Sequence, residues 1–208
     1  MKITVVGIGY VGLSIGLLLA KEHDVTFFDI DNKKIDLINK RQSPLKEAAI
    51  NKLLCKAKNI NATSSEELAY KDATFIILSL PTNLKVNKLD TSIIEISVSN
   101  ILKINKKATI VIKSTVPIGF TEYLRNRFHY NDIIFSPEFL REGSTIYDQL
   151  YPSRTIVGNE SRNSQLFLDI LTDISVEKDS PSLLVGSSEA EAIKLFSNAY
   201  LAQKNCFF

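Results

Sequence analysis

Residues 2–29 read KITVVGIGYVGLSIGLLLAKEHDVTFFD, and their order decides the fold. Ile3, Val5 and Val6 make the apolar run of a buried strand. Gly7, Gly9 and Gly12 follow at once in the string GIGYVG. Leu13, Ile15, Leu17, Leu18 and Leu19 are dense enough for a buried helix, and a second apolar run, Val25 to Phe28, ends in Asp29. Strand, glycine turn, helix, strand and acid is the order of a dinucleotide-binding unit.

Each part has a physical task. Gly7 permits a tight turn, Gly9 lets the backbone approach a pyrophosphate, and Gly12 lets helix and strand pack closely. A helix starting near Val11 offers unpaired N–H groups and a partly positive end to phosphates. Asp29 accepts hydrogen bonds from a ribose diol and repels the extra phosphate of NADP, so the expected cofactor is NAD. Lys34 lies five residues after Asp29. Spacing alone does not separate a lysine that reaches the adenosine ribose or phosphate from a solvated one in the run Asn32-Lys33-Lys34.

Working outward, apolar runs alternate with helical patterns. Residues 59–63, 73–80, 108–113 and 132–135 read as strands, and helical spacing falls at 45–58, from Ser64 or Ser65, and at 91–103. Cys55 falls in the first of these helices as a small core residue. Pro117 sits where the helix carrying Tyr123, Leu124 and Phe128 is expected to begin. Residues 139–153 read as a loop with a short helical piece, 154–157 as a strand, Gly158 as a turn, 163–171 as a helix and 183–185 as an edge strand. Ser188-Glu189-Ala190-Glu191 reads as a capping box opening a last helix over 188–204. Strands alternating with helices predict an α/β, Rossmann-like doubly wound parallel sheet. In such a sheet Gly7, Asp29, Thr82, Thr115 and Glu138, each just past a strand's carboxyl end, converge on one crevice.

The bulk numbers bound the function. The 208 residues suffice for one domain or one and part of another, with Gly186 the best boundary. Hydrophobic residues make up 45% and charged residues 23%, ordinary for a globular chain. A net charge of +2 gives no argument for a nucleic-acid or membrane partner. No apolar run is long enough to span a bilayer and the N-terminus has no signal-peptide anatomy, so a cytoplasmic address is expected. Cys55 and Cys206 form no metal spacing, and His23 and His129 stand apart in polar stretches, so no metal is expected.

Several strings together resemble the UDP-glucose/GDP-mannose dehydrogenase family, and within it UDP-glucose 6-dehydrogenases. They are GIGYVGLS at 7–14, LPTN at 80–83, KSTVPIG at 113–119, SPEFLREG at 136–143, YPSRTIVG at 151–158 and SSEAEAIKLFSNAYLA at 187–202. YPSR is most like the short bacterial UDP-glucose enzymes, and FLRE argues against the UDP-N-acetylmannosamine branch. The resemblance implies oxidation of UDP-glucose to UDP-glucuronate with two NAD and one water, through a cysteine thiohemiacetal and thioester.

By this resemblance Gly7, Gly9, Val11, Gly12, Asp29, Lys34, Thr82, Thr115 and Glu142 line the NAD site. The loop Glu138, Phe139, Leu140, Arg141 and Glu142 cradles the nucleotide sugar, much of it through backbone groups. Thr115 and Glu142 position water, Glu138 serves proton transfer, and Lys194 and Asn198 donate to the developing oxyanion. From the residues alone, Lys194 and Asn198 share a helix face, and apolar Ile193, Leu195 and Phe196 predict a largely buried helix. Without the resemblance the snorkelling reading of Lys194 prevails, Glu138 and Glu142 read as a solvated pair or Glu138 as a helix cap, and Thr115 reads as a helix start.

The resemblance also implies a nucleophilic cysteine in a GG-x-C-x-P-K-D string beyond the lysine–asparagine helix. The 208 residues end before it, and neither Cys55 nor Cys206 has that context. The expectation is a truncated or frameshifted chain: an NAD-binding domain over 1–186 and the start of a dimerisation helix over 187–208. The family forms homodimers through that helix; here Phe196, Tyr200, Leu201, Phe207 and Phe208 are expected to drive nonspecific association. The alternatives are an NAD-binding module without chemistry, or a fragment of another nucleotide-sugar dehydrogenase such as a GDP-mannose enzyme.

Overall fold

The computed structural model describes residues 1–86 and 88–207, with the side chains of 205–207 left out, so the expectations on Cys206, Phe207 and Phe208 lie outside the described side chains. The strands are β1 (Lys2–Val6), β2 (Asp24–Phe28), β3 (Ile60–Thr63), β4 (Phe75–Leu78), β5 (Leu84–Lys85), β6 (Lys88–Leu89), β7 (Thr109–Ile112), β8 (Ile133–Phe135), β9 (Thr155–Gly158) and β10 (Ser182–Val185). The helices are α1 (Tyr10–Leu19), α2 (Asn32–Asn39), α3 (Ala48–Leu54), α4 (Glu66–Tyr70), α5 (Ser92–Ile104), α6 (Phe120–Phe128), α7 (Thr145–Leu150), α8 (Arg162–Ile174) and α9 (Ser187–Phe207).

Eight strands form one sheet in the order β10-β9-β8-β7-β4-β1-β2-β3, and β5 and β6 make a separate hairpin. From β3 to β8 every pairing is parallel. These six strands have the 3-2-1-4-5-6 order of the doubly wound dinucleotide fold, with the reversal between β1 and β4. Helices cover both faces, which is why central strands read as unbroken apolar runs. In β4, Phe75 and Ile77 enter the core with Leu13, Phe27 and Phe167, while Ile76 and Leu78 enter the other with Tyr70, Val98 and Phe135.

The last two strands depart from the all-parallel expectation. β9 runs antiparallel to β8, with Phe135 opposite Gly158, and β10 runs parallel to β9. The β8–β9 connection carries only the one short helix α7, and the chain returns along the edge in the opposite sense.

Other expectations are corrected by packing. The helix expected over 45–58 is confined to α3, and Cys55 caps its end as an exposed free thiol, not a core residue. Pro117 does not open α6, because Gly119, at φ +85°, is its N-cap. Gly158 is no turn but the last residue of β9, where a Cβ would stand 3.0 Å from Ser187 Cα, so α9 lies directly on the strand. The capping box at Ser188 does not form. Glu191, wholly buried, accepts instead from Gly119 N at 2.6 Å, Thr121 N at 2.8 Å and Thr121 Oγ1 at 2.6 Å. It caps α6 from α9. Nor is α9 largely buried: Ala190, Glu191 and Lys194 are, but Phe196 is 71% exposed and Tyr200 and Leu201 are exposed beyond it.

Candidate functional site

The glycine turn behaves as three different devices. Gly7 has φ +97°, and a Cβ there would lie 2.4 Å from Ser79 O, so the turn is fit for glycine on both counts. A Cβ on Gly12 would lie 2.1 Å from Gly7 O, which fixes the close seat of α1 on the strand end. A Cβ on Gly9 would meet nothing within 4 Å. That side faces open space, as close approach by a ligand requires. Gly9 is the N-cap of α1 and brings no capping side chain, so the first-turn N–H groups stay available to an anion.

Asp29, one residue beyond β2, is held by this turn. Its Oδ2 accepts from Ile8 N at 2.8 Å and Lys34 Nζ at 3.3 Å, and its Oδ1 from Asp31 N at 3.0 Å. Lys34 is therefore no free solvated lysine: it reaches the acid beside the turn. The cleft around them measures about 810 Å³, within the span of small-molecule sites, and follows the strand ends from Val11 and Asp29 to Glu138 and Glu142. Its far wall includes Ile93, Ile96, Ser97 and Asn100 from α5, with Asn100 Nδ2 donating to Glu66 Oε1 at 2.9 Å. These α5 positions were not expected from sequence, because helical periodicity places them without saying what they face.

Beside the switch point, the loops after β4 and β7 are tied together. Thr82 Oγ1 donates to Thr115 O at 2.8 Å, and Leu80 N to Ser114 Oγ at 2.8 Å. Both threonines line the cleft. An open glycine face, uncapped helix donors and an acid at the neighbouring strand end fit a dinucleotide with its pyrophosphate at α1.

Glu138 stands at the end of the cleft and also borders a small cavity of about 60 Å³ behind its loop. Lys194 Nζ donates to Glu138 O at 2.6 Å and stands 3.3 Å from Glu138 Oε1, with both side chains nearly buried. Lys194 is thus paired rather than snorkelling. Glu138 Oε2 is buried without a hydrogen-bond partner among the described residues, an acceptor in reserve. Phe139 carries the Arg154 guanidinium 3.9 Å above its ring and the Lys194 ammonium at 5.4 Å. Arg154 Nη2 also donates to Ser197 Oγ at 2.9 Å, so it ties the loop to α9. In the sequence Arg154 shows only as the start of a strand and part of YPSR, because both of these partners lie on distant segments.

The rest of the loop is less uniform than expected. Arg141 binds Asp148 through its main-chain N at 2.8 Å, Nε at 3.1 Å and Nη2 at 2.6 Å, and its carbonyl accepts from Ser144 N. Its backbone groups are thus in use internally, while the N–H groups of Phe139, Leu140 and Glu142 make no hydrogen bond among the described residues. Leu140 borders the small cavity, and Glu142 is exposed on the cleft rim. Asn198, one turn beyond Lys194, is exposed and contacts neither Glu138 nor the cleft among the described residues. Among the described residues no group of three metal-ligating side chains comes together, and no helix is long and apolar enough to cross a membrane.

Fold and cleft together define a dinucleotide-binding domain of the Rossmann class. Residues 1–174 match the model of the UDP-glucose/GDP-mannose dehydrogenase family, NAD binding domain. UDP-glucose 6-dehydrogenase of Streptococcus pneumoniae is 44% identical over 217 residues, covering 100% of this chain and 55% of the relative. That of Campylobacter jejuni is 43% identical, covering 100% and 54%. Among solved structures, a GDP-mannose dehydrogenase from Pseudomonas aeruginosa superposes with a TM-score of 0.87 at 28% identity, over 100% of this chain and 51% of that one. The chain belongs to the UDP-glucose/GDP-mannose dehydrogenase family, and it spans about half the length of the curated relatives it matches.

Proposed function

We propose that this chain supplies the NAD-binding half of a UDP-glucose 6-dehydrogenase, with residues 1–186 as the cofactor domain and 187–208 as the start of the dimerisation helix. The observation that carries this reading is the joining of two devices in one cleft. One end holds an open glycine turn beside Asp29, and the other holds Glu138 under Lys194. NAD is preferred to NADP because the carboxylate of Asp29 favours free ribose hydroxyls over a phosphate. NAD, when bound, accepts the hydride. The chain's own residues do the rest. Thr115 and Glu142 hold water near the reacting carbon, and the free oxygen of Glu138 takes a proton. Lys194 steadies developing negative charge, joined by Asn198 once a neighbouring surface covers it. The loop Phe139, Leu140, Arg141 and Glu142 seats the nucleotide sugar, with Arg154 behind Phe139. The setting is cytoplasmic, and the full assembly is a homodimer.

A second reading is a module that binds NAD without completing the oxidation. It is favoured by Asn198, which stands in solvent, and by Cys55, which is exposed and does not border the cleft. Calorimetric titration with NAD and NADP tests the cofactor, and NADH absorbance with UDP-glucose, alongside mass detection of UDP-glucuronate, tests turnover. NAD binding with no NADH formed supports the second reading. A trace of NADH formed on adding UDP-glucose supports the first, and UDP-glucuronate made steadily by the purified chain would overturn the reading of the chain as a half-enzyme that does not complete the oxidation alone.

A further inference from the structure

Lys113 is a buried cation to which the proposed chemistry gives no task. It is the first residue past β7, only 5% exposed, on the wall between the cleft and the small cavity behind the Glu138 loop. Its Nζ donates to Ser136 O at 2.9 Å and approaches Ser136 Oγ at 3.4 Å. Both partners are neutral, and it makes no ion pair among the described residues. A buried ammonium without a bonded counter-charge is costly, and an apolar side chain would fill the same space more cheaply.

The position explains the cation. The main-chain ladder between β7 and β8 ends where Ser136 N donates to Ile112 O at 2.9 Å. The next residue, Pro137, has no N–H to offer. Lys113 adds the following rung with its side chain, gripping the carbonyl that leads into Pro137 and Glu138. The charged groups around it are Glu138 and Lys194, with Glu142 on the cleft side and Asp148 and Arg154 across the small cavity.

We infer that Lys113 is a positioning residue of the site: its ammonium pins the turn before Glu138 and forms, with Glu138 and Lys194, one coupled charge cluster. The inference rests on the reading that Glu138 and Lys194 face the substrate. In the cluster, Lys194 stands 3.3 Å from Glu138 Oε1, Lys113 holds the carbonyl two residues before Glu138, and Glu138 Oε2 is left an acceptor without a partner among the described residues. Burial pushes the Lys113 ammonium down to about 8, with Glu138 pulling it up and Lys194 pushing it down. Its charge is therefore present at neutral pH and lost just above it, so the cluster changes character within the working range of an enzyme.

The test is an NMR titration of the full chain labelled at lysine, following the Lys113 side chain from pH 6 to 11. The expected midpoint is about 8 against an ordinary 10.5. Glu138→Gln moves it lower by removing an attraction, and Lys194→Met moves it higher by removing a repulsion. Both variants leave Lys113 intact, so a misfolded Lys113→Met does not stop the experiment. A midpoint near the ordinary value, or one indifferent to both substitutions, overturns the inference. A purely structural strap would not answer to Glu138 or Lys194. UDP-glucose affinity, read by calorimetry across the same pH range, should change through the Lys113 midpoint in the unmutated chain and stay flat in Lys113→Met. Absence of UDP-glucose binding at every pH counts against the proposed function, while the NMR titration still decides the coupling.

Discussion

The two ends of the cleft are built in opposite ways. At the glycine end the contacts are mostly local, apart from the close approach of Gly7 to Ser79 O. Asp29 takes the N–H of Ile8 only 21 residues away, and Gly12 meets Gly7 within one turn. At the Glu138 end the contacts are remote. Lys194 reaches Glu138 across 56 residues, and Arg154 reaches Ser197 across 43. Two buried carboxylates do similar work. Glu191 caps α6 from α9, and Glu47 caps α7 across 98 residues, accepting from Thr145 Oγ1 at 2.8 Å and Ile146 N at 3.2 Å. The glycine end is therefore set mainly by the first βαβ unit. The Glu138 end depends on segments that meet only when the whole sheet has formed.

Substitutions separate the two ends, and the largest effect belongs to the glycines. Gly12→Ala forces a Cβ onto Gly7 O, and overpacking of this kind costs about 3 kcal/mol. Gly9→Ala meets no neighbour and should leave the urea midpoint almost unchanged while weakening NAD. Equal loss of stability in both would break the distinction between a packing glycine and a ligand-facing one.

Next comes the remote brace. Glu191→Ala leaves the donors of Gly119 and Thr121 buried without an acceptor, a cost of about 2–3 kcal/mol. Urea unfolding should show that loss, with NAD affinity in the folded variant nearly retained. A strong loss of NAD affinity would mean the two ends are not separable.

Asp29→Ala should weaken NAD by roughly tenfold, about 1.4 kcal/mol, and narrow the gap to NADP. Calorimetry with both cofactors reads it, and an unmutated chain that binds NADP as tightly as NAD would overturn the role given to Asp29.

The smallest effect concerns the Arg141–Asp148 strap. Hydrogen bonds from Arg141 hold the Asp148 carboxyl below its ordinary 3.8. A lowered folded value means the contribution is complete above the ordinary value and fades as pH falls through the depressed one. Loop order, followed by the Arg141 amide in NMR, should thus survive at pH 4 and be lost only in stronger acid. Fading already at pH 5 would show the strap is too loose to hold the loop.

Legibility followed the same division. The string from Ile3 to Asp29 could be read because each residue's task is met by neighbours close in sequence, and every cofactor position named there borders or builds the cleft. Lys34 could not be placed by spacing, and the structure pairs it with Asp29 at 3.3 Å. At the other end only the resemblance pointed to Glu138 and Lys194, and it said nothing of Lys113 or Arg154. Their partners, Ser136 O and the Phe139 ring, lie on other strands and loops. Cys55 reads as a core residue because an apolar residue in a helical pattern looks buried until the end of the helix is known, whereas the exposure of Phe196 agrees with its place among the apolar side chains expected to lack cover.

By itself the sequence determined the alternation of strands and helices, the site of the turn and the carboxylate placed beside it. These follow from hydrophobic period, from glycine's missing Cβ and from a carboxylate at fixed spacing, all properties of short stretches. The reversal of β9 and β10, the use of Glu191 as a remote cap, and the gathering of Lys113, Glu138 and Lys194 were decided only in the tertiary structure. Burial and charge pairing depend on which distant segments share the low-dielectric interior, and no local pattern in the chain encodes that neighbourhood.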